Sequence, residues 1–136
     1  MGWFFKKKKK KTDNPLKKGV FEVTVEEERN GIIGFSIAGI AYRDDETKDH
    51  IYSEFNFLEM GDDFTLEREP NNKYDKNAIK VLSKYGTHYG YVPRHLTYLF
   101  LDSKGSVLSY NCKLAGFQRG IYICVFLKCY PLFSWK

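Results

Sequence analysis

Residues 68–81 hold the side chains best suited to binding chemistry, in the order R-E-P-N-N-K-Y-D-K-N-A-I-K-V. Pro70-Asn71-Asn72 predicts a tight turn, because proline presets its own φ and asparagine accepts local hydrogen bonds. Tyr74 then places an aromatic face beside the carboxylate of Asp75. Polar and aromatic groups displayed on an anchored turn are typical of a binding site.

The same residues also allow a purely structural interpretation of this turn. In that alternative, Asn72 and Asp75 only satisfy the backbone of their own loop. The segment Ala78-Ile79-Lys80-Val81 alternates between apolar and polar residues and predicts a half-buried strand. The spacing alone does not separate a binding loop from a well-made turn.

The rest of the chain must supply the elements that hold this loop in place. High aromatic content favours strands, and two short helices are predicted at residues 44–59 and from Pro93 to Gly105. Asn30-Gly31 predicts a hairpin turn, and Gly116–Gly120 predicts another. The predicted fold is mainly β, a small closed barrel of about six strands, with strand segments at residues 20–25, 32–42, 64–68, 78–81, 87–92, 107–114 and 121–130.

Charge is distributed unevenly, although the formal net charge is only +5. Eight lysines and one aspartate give residues 1–18 a net charge of +7. Residues 19–67 carry three basic and thirteen acidic groups, whereas residues 68–136 carry eleven basic and three acidic groups. This division predicts one basic face that attracts a polyanion, and it does not suit a uniformly cationic duplex binder.

The first 18 residues predict a disordered lysine-rich tail and linker, and residues 19–136 predict a single domain. The alternative is that the tail adheres to nucleic acid or to an anionic membrane surface. The apolar run at residues 121–127 is far shorter than the roughly 20 residues of a membrane helix. Because no secretory signal is visible, we expect a cytoplasmic protein; the alternative is that it associates with the nucleoid.

Cysteine and histidine spacing predicts no metal site and no cofactor, because the three cysteines and three histidines show no zinc-ligand pattern. If the last hairpin is centred on Gln118, Cys112 and Cys124 face each other. We expect all three cysteines to be reduced, since nothing marks the chain as secreted. No phosphate-binding loop, nucleophile elbow or metalloprotease motif is present. These observations predict a binding module without a small-molecule substrate, and not an enzyme.

A second motif, Gly90-Tyr91-Val92-Pro93-Arg94, lies downstream of the first. Together the two motifs resemble the HIRAN domain, with the resemblance covering roughly residues 35–127. That family occurs at the N-terminus of helicase-like ATPases that remodel replication forks, and as stand-alone bacterial and phage proteins. The present chain looks like the stand-alone form.

The resemblance implies an OB-like β-barrel that captures single-stranded DNA, preferentially at a free 3′-hydroxyl end. Tyr74 is similar to the aromatic residue that stacks on a terminal base, and Asp75 to the acceptor of the terminal hydroxyl. Asn72 supports Asp75 in this comparison. Tyr42 is similar to the family's second aromatic residue, and Arg94 stands where a cation meets a backbone phosphate.

Three further residues complete the predicted DNA-binding set. Tyr91 belongs to the second motif, and Lys76 and Lys80 are available for phosphates, although alternate lysines also form the solvent face of a strand. DNA-binding members carry a basic residue just before the aromatic residue that corresponds to Tyr42, whereas here Ala41 precedes Tyr42 and Arg43 follows it. In a strand this order turns Arg43 to the opposite face.

The resemblance implies single-stranded DNA or DNA 3′ ends as partners, with DNA repair or replication-fork processing as the context. A separate helicase or nuclease is a further expected partner. Two alternatives stay open from the sequence. One is a protein-interaction or structural module with a polybasic tail, and the other is a single-stranded RNA binder.

Overall fold

The computed structural model describes residues 17–120 and 122–132, and of residues 17 and 18 it describes the backbone only. Strands, α-helices and 3₁₀ helices alternate along this part of the chain. In order they are β1 (Lys17–Gly19), α1 (Val25–Arg29), β2 (Ile33–Ser36), a first 3₁₀ helix (Ile40–Tyr42), α2 (Asp45–Glu54), β3 (Asp63–Arg68), β4 (Ile79–Leu82), β5 (His88–Tyr91), a second 3₁₀ helix (Arg94–Phe100), β6 (Tyr110–Gln118) and β7 (Cys124–Pro131).

The strands form one antiparallel sheet in the order β2-β7-β6-β3-β4-β5, and β1 pairs with β6 beside this path. The two ends of the sheet meet at a bridge between Ala38 and Tyr91. The N–H of Ala38 donates to the carbonyl of Tyr91 at 2.8 Å, and the N–H of Tyr91 donates back at 2.9 Å. This closure confirms the predicted mainly β, OB-like small barrel with its two short helices.

The barrel interior is filled by aliphatic and aromatic side chains from every strand of the main path. Aromatic rings pack edge to face, with Phe35 against Phe100 at 5.7 Å and Phe64 against Tyr89 at 5.3 Å between ring centroids. Such pairs add to the free energy of burial. The side chains without any solvent exposure include Ile51, Ile79, Val81, Tyr89, Phe100, Val125, Leu127 and Cys129.

Helix α2 confirms the helix predicted at residues 44–59, although it ends earlier, at Glu54. Asp44 is its N-cap and accepts a hydrogen bond from the N–H of Thr47 at 2.7 Å. Ile51 is fully buried on its inner face. Near its end, Glu54 accepts a hydrogen bond from the hydroxyl of Tyr89 at 2.8 Å and so ties α2 to β5.

The predicted strand at residues 20–25 is wrong, because its end forms α1 instead. Thr24 and Glu27 make a capping box, in which each side chain accepts a hydrogen bond from the other's backbone N–H. Asn30 caps the C-terminal end of α1, and Gly31 follows with φ +84°. The Asn30-Gly31 pair therefore ends a helix and does not turn a hairpin.

The predicted strand at residues 32–42 is wrong beyond Ser36. Gly39 adopts φ +84°, a conformation that breaks the strand and is open to glycine. The chain then enters the first 3₁₀ helix, so Tyr42 stands at the end of that helix and not at the end of a strand.

The last hairpin turns later than predicted, because β6 continues to Gln118 while β1 pairs along residues 116–118. A bulge between Leu114 and Gly116 also shifts its register. Cys112 consequently lies opposite Cys129, with which it forms a disulfide, and Cys124 is the free cysteine. The predicted facing of Cys112 and Cys124, and the expected reduced state of all three cysteines, are wrong.

The element predicted after Pro93 is present as a 3₁₀ helix that ends at Phe100, and Gly105 lies in a later turn. No helix in residues 17–120 or 122–132 is long and apolar enough to cross a bilayer. Across the same residues, no group of three or more His, Cys, Asp and Glu side chains could hold a metal ion.

Candidate functional site

The loop between β3 and β4 is closed by its own backbone. The N–H of Glu69 donates to the carbonyl of Ala78 at 3.0 Å, and the N–H of Asn72 donates to the carbonyl of Glu69 at 3.0 Å. Arg68, at the end of β3, donates to the carbonyls of Lys76 and Gly105 and so holds the loop from outside. The loop is therefore a fixed platform for its side chains.

Asn72 is the centre of this loop. Its side-chain oxygen accepts hydrogen bonds from the N–H groups of Tyr74 at 2.8 Å and Asp75 at 2.9 Å. Asp75 in turn accepts from the N–H of Asn77 through Oδ1 at 2.9 Å. The side chain of Asn72 therefore shapes the loop, as the structural interpretation of the turn expects for this residue.

Glu69 is a site residue that sequence reasoning missed. Its Oε1 accepts hydrogen bonds from Nδ2 of Asn72 at 2.8 Å and from the hydroxyl of Tyr91 at 2.7 Å. These two hydrogen bonds lower the pKa of Glu69 below its ordinary value. Because Glu69 fixes the amide of Asn72, it also fixes the two residues that Asn72 orients. Its position three residues before Asn72 in a turn was the available signal.

A depression of about 240 Å³ opens beside the loop, and we call it the Tyr74 pocket. Its volume is below the roughly 300–1,000 Å³ of pockets that enclose a whole small ligand, so it suits one end of a longer molecule. The pocket brings together five of the sequence-predicted site residues from the loop, from β5 and from the second 3₁₀ helix. It is lined by Ala38, Asn72, Tyr74, Asp75, Ala78, Tyr91, Val92 and Arg94.

Tyr74 and Arg94 stand at the mouth of the Tyr74 pocket, and Asp75 lies deeper. The side chain of Arg94 is 72% exposed, whereas that of Asp75 is 19% exposed. Oδ2 of Asp75 lies 3.5 Å from Nε of Arg94, and Nη2 of Arg94 donates to the carbonyl of Tyr74 at 3.3 Å. Tyr74 itself is 82% exposed, so its ring is a free stacking surface.

Tyr91 forms one wall of the pocket, and polar and charged side chains surround it. Burial and the hydrogen bond to Glu69 raise the pKa of its hydroxyl, against the positive charge of Arg43. The ring of His88 lies 5.0 Å from the Tyr91 ring, edge to face. Burial, and next the charge of Arg43, lower the pKa of His88, which keeps this histidine neutral at physiological pH.

The prediction that Arg43 points to the opposite face from Tyr42 assumed a strand. It is wrong, because residues 40–42 form a 3₁₀ helix. The side chain of Arg43 returns to β5, where Nε donates to the carbonyl of His88 at 3.1 Å. A second cation therefore lies near Tyr91, although the residue before Tyr42 is alanine.

Three of the predicted residues lie outside the Tyr74 pocket. Lys76 is exposed on the loop and contributes its backbone carbonyl to Arg68. Lys80, on β4, lies 3.6 Å from a carboxylate oxygen of Glu67. Tyr42 is 92% exposed and lines a separate depression.

This second depression, the Tyr42 pocket, has a volume of about 280 Å³. Tyr52 and Tyr122 add two more aromatic faces to it. Ala38 lines the Tyr74 pocket and the next residue, Gly39, lines the Tyr42 pocket, so the two depressions are neighbours. The Tyr42 pocket is lined by Gly39, Ile40, Ala41, Tyr42, Lys48, Tyr52, Tyr122 and Ile123.

Replacing Glu69 by alanine is expected to destabilise the protein by about 1 kcal/mol, because it leaves Asn72 and Tyr91 without their acceptor. Glutamine should restore most of the stability, since both hydrogen bonds reach a single oxygen that its amide carbonyl can supply. Thermal unfolding at neutral pH measures the difference. Glu67→Ala, which removes an exposed carboxylate, is the control and should change little.

The pH dependence of this effect has a definite sign. The pKa of Glu69 is lowered in the folded state, so its contribution is present above the ordinary value near 4.5 and is lost as pH falls through the lowered pKa. The stability gap between wild type and Glu69→Ala should therefore narrow in acid. A gap that is unchanged at low pH would contradict the role of the carboxylate.

The family model of the HIRAN domain matches residues 30–113. A stretch of 31 residues is 58% identical to the helicase-like transcription factor of Oryctolagus cuniculus; it is 23% of this chain and spans only 3% of that protein.

Two solved structures match part of this chain. The crystal structure of the HIRAN domain of human HLTF has a TM-score of 0.48 and 20% identity, and the match covers 72% of each chain. A protein from Lactobacillus plantarum has a TM-score of 0.44 and 21% identity, with 72% of this chain and 94% of that chain covered.

Proposed function

Because the chain belongs to the HIRAN domain family, we propose that it binds single-stranded DNA and captures a free 3′-hydroxyl end in the Tyr74 pocket. The observation that carries this proposal is the position of Asp75. Its carboxylate lies in a small pocket between an exposed aromatic ring and an exposed cation. A carboxylate repels phosphate, so it is useful in a DNA-binding pocket only where the ligand offers a hydroxyl donor.

The terminal base stacks on Tyr74. Its ring is 82% exposed, and stacking on such a ring contributes about 1–3 kcal/mol per base without sequence preference. Stacking brings the terminal sugar over the pocket, whose floor includes the apolar side chains of Ala78 and Val92. The sugar therefore contacts an apolar surface while its hydroxyl faces the carboxylate.

The 3′-hydroxyl donates to Oδ2 of Asp75. Oδ1 already accepts from the N–H of Asn77, whereas within the described residues Oδ2 faces Arg94 alone, at 3.5 Å, which is long for a hydrogen bond. Asn72 and Glu69 act behind this contact, because their hydrogen bonds hold the backbone of Asp75 in place. They are positioning residues for the hydroxyl acceptor.

Phosphates beyond the terminal sugar meet the cations around the pocket. Arg94 at the mouth and Arg43 beside β5 are the nearest candidates. Lys76 and Lys80 extend the positive field, with Lys80 partly neutralised by Glu67. In this arrangement Tyr42 offers a stacking surface to an upstream base, since its pocket adjoins the first.

Wild-type protein is expected to bind an oligonucleotide with a 3′-hydroxyl at least about tenfold more tightly than one with a 3′-phosphate, because a hydrogen bond to a charged group contributes about 1.5–3 kcal/mol. Fluorescence anisotropy with two short single strands, labelled at the 5′ end and identical in sequence, measures this ratio. Equal affinity for both ends would rule out end capture even if binding occurs.

Two further measurements with the same assay test the alternatives, which are binding by the lysine-rich tail and binding of RNA. A variant lacking residues 1–16 keeps β1 and tests the lysine-rich tail. Loss of all DNA affinity in that variant would assign binding to the tail, and the barrel would then be a protein-interaction or structural module. Competition by an RNA strand of the same sequence decides whether the ligand is DNA or RNA.

In this proposal the protein is a binding module without catalytic activity of its own. Repair or replication-fork processing then requires a separate helicase or nuclease, which the bound end would recruit or exclude. Residues 1–16 are proposed as a tail and residues 17–136 as one domain, because Lys17 and Lys18, predicted as part of the tail, pair with β6.

A further inference from the structure

We propose that Arg94 is a phosphate-binding residue that Asp75 holds in check: the carboxylate repels a terminal phosphate, and without that negative charge the arginine binds one. The inference rests on the proposed function and concerns the same pocket. It assigns the choice between hydroxyl and phosphate ends to the pair of Asp75 and Arg94, and it states what the arginine does once the negative charge beside it is removed.

Arg94 is well placed to move, whereas Asp75 is not. The arginine backbone is fixed at the start of the second 3₁₀ helix, where its carbonyl accepts from the hydroxyl of Thr97 at 3.1 Å. Its side chain is 72% exposed and its contacts to Asp75 and Tyr74 are long, at 3.5 and 3.3 Å. Ion pairs of this kind are weak and exchange readily.

The guanidinium also has unused donors. In the part of the chain that the structure describes, Nη1 of Arg94 has no hydrogen-bond partner, and Nη2 has only the carbonyl of Tyr74. A guanidinium presents a planar fork that suits two oxygens of one phosphate. Among the described residues that line the Tyr74 pocket, only Asp75 carries a carboxylate that would repel a phosphate beside Arg94.

Asparagine at position 75 would reverse the chemistry of the pocket with little change in shape. Its Oδ1 can still accept from the N–H of Asn77, the hydrogen bond that shapes the loop. Its Nδ2 would replace Oδ2, so an acceptor next to Arg94 becomes a donor. The variant removes the negative charge, frees the arginine and adds a second donor for a phosphate oxygen.

The experiment compares wild type, Asp75→Asn, and the double variant Asp75→Asn/Arg94→Met on strands ending in 3′-hydroxyl or 3′-phosphate. We expect wild type to prefer the hydroxyl end, Asp75→Asn to prefer the phosphate end by about tenfold, and the double variant to lose that preference. Lys84→Met in the Asp75→Asn background is the control. Lys84 is also ion-paired, with Asp62 at 3.0 Å, and it lies outside the Tyr74 pocket.

The outcomes separate the two proposals. If wild type prefers the hydroxyl end but Asp75→Asn gains no affinity for the phosphate end, the role of Arg94 is wrong and end capture stands. A phosphate preference that survives in the double variant, or that is lost equally with Lys84→Met, also overturns the role of Arg94. Equal binding of both ends by wild type contradicts end capture itself, and with it the inference. Thermal unfolding of each variant verifies that the fold is intact.

Discussion

Tyr74→Ala is expected to weaken the binding of single-stranded DNA by about 1–3 kcal/mol, or roughly 5- to 150-fold, because it removes the stacking surface at the mouth of the pocket. The ring is 82% exposed. The substitution should therefore leave the thermal stability of the free protein unchanged. Anisotropy titrations at a fixed salt concentration measure the loss, since binding to phosphates depends strongly on salt.

Tyr98→Ala is the matched control for this prediction. Tyr98 is 72% exposed on the second 3₁₀ helix, but it does not line the Tyr74 pocket. Its removal should leave affinity nearly unchanged. If both tyrosine variants lose affinity equally, binding would depend on exposed aromatic surface in general, and the Tyr74 pocket would not be the DNA-binding site.

Gly90→Ala is expected to destabilise the fold by at least about 1–3 kcal/mol, the usual cost of forcing extra atoms into a packed position. A Cβ atom at Gly90 would overlap the carbonyl oxygen of Ala38 and lie 2.9 Å from Cγ2 of Ile37. That carbonyl accepts the hydrogen bond from Tyr91 that closes the barrel. The substitution therefore acts on the closure itself.

Thermal unfolding is the measurement, and each kcal/mol lowers Tm by about 2–8 °C for domains near this size. Gly120→Ala is the control, because a Cβ atom there would meet nothing within 4 Å. A Gly90→Ala protein as stable as wild type would mean that the segment at Ala38 shifts freely and that the closure contributes little.

The barrel and the central loop could be predicted from the sequence because their signals are local. Alternation marked β3, β4 and β5, and Pro70-Asn71-Asn72 marked the turn between the first two. The chemistry of the loop was visible in its residue types. The commitment of Asn72 to the loop was also open from the start, as one of two interpretations.

Other parts were missed because a competing local signal was stronger or because the partner was distant. The capping box of Thr24 and Glu27 overrode the alternation of residues 20–25. The later turn of the last hairpin moved the partner of Cys112 from residue 124 to residue 130, and the bulge between Leu114 and Gly116 then placed it at Cys129. A bulge depends on the strands on both sides, so one segment of sequence does not reveal it. Glu69 escaped notice because its partner Tyr91 lies 22 residues away in sequence.

The bridge between Ala38 and Tyr91 has a thermodynamic consequence for the pocket that it borders. Both residues line the Tyr74 pocket, and their paired hydrogen bonds join the ends of the sheet. A ligand that needs this pocket binds only the closed barrel, so its binding free energy adds to the stability of the closure. If the pocket holds a DNA end as proposed, binding of that end stabilises the closed barrel, and closure of the barrel in turn favours binding.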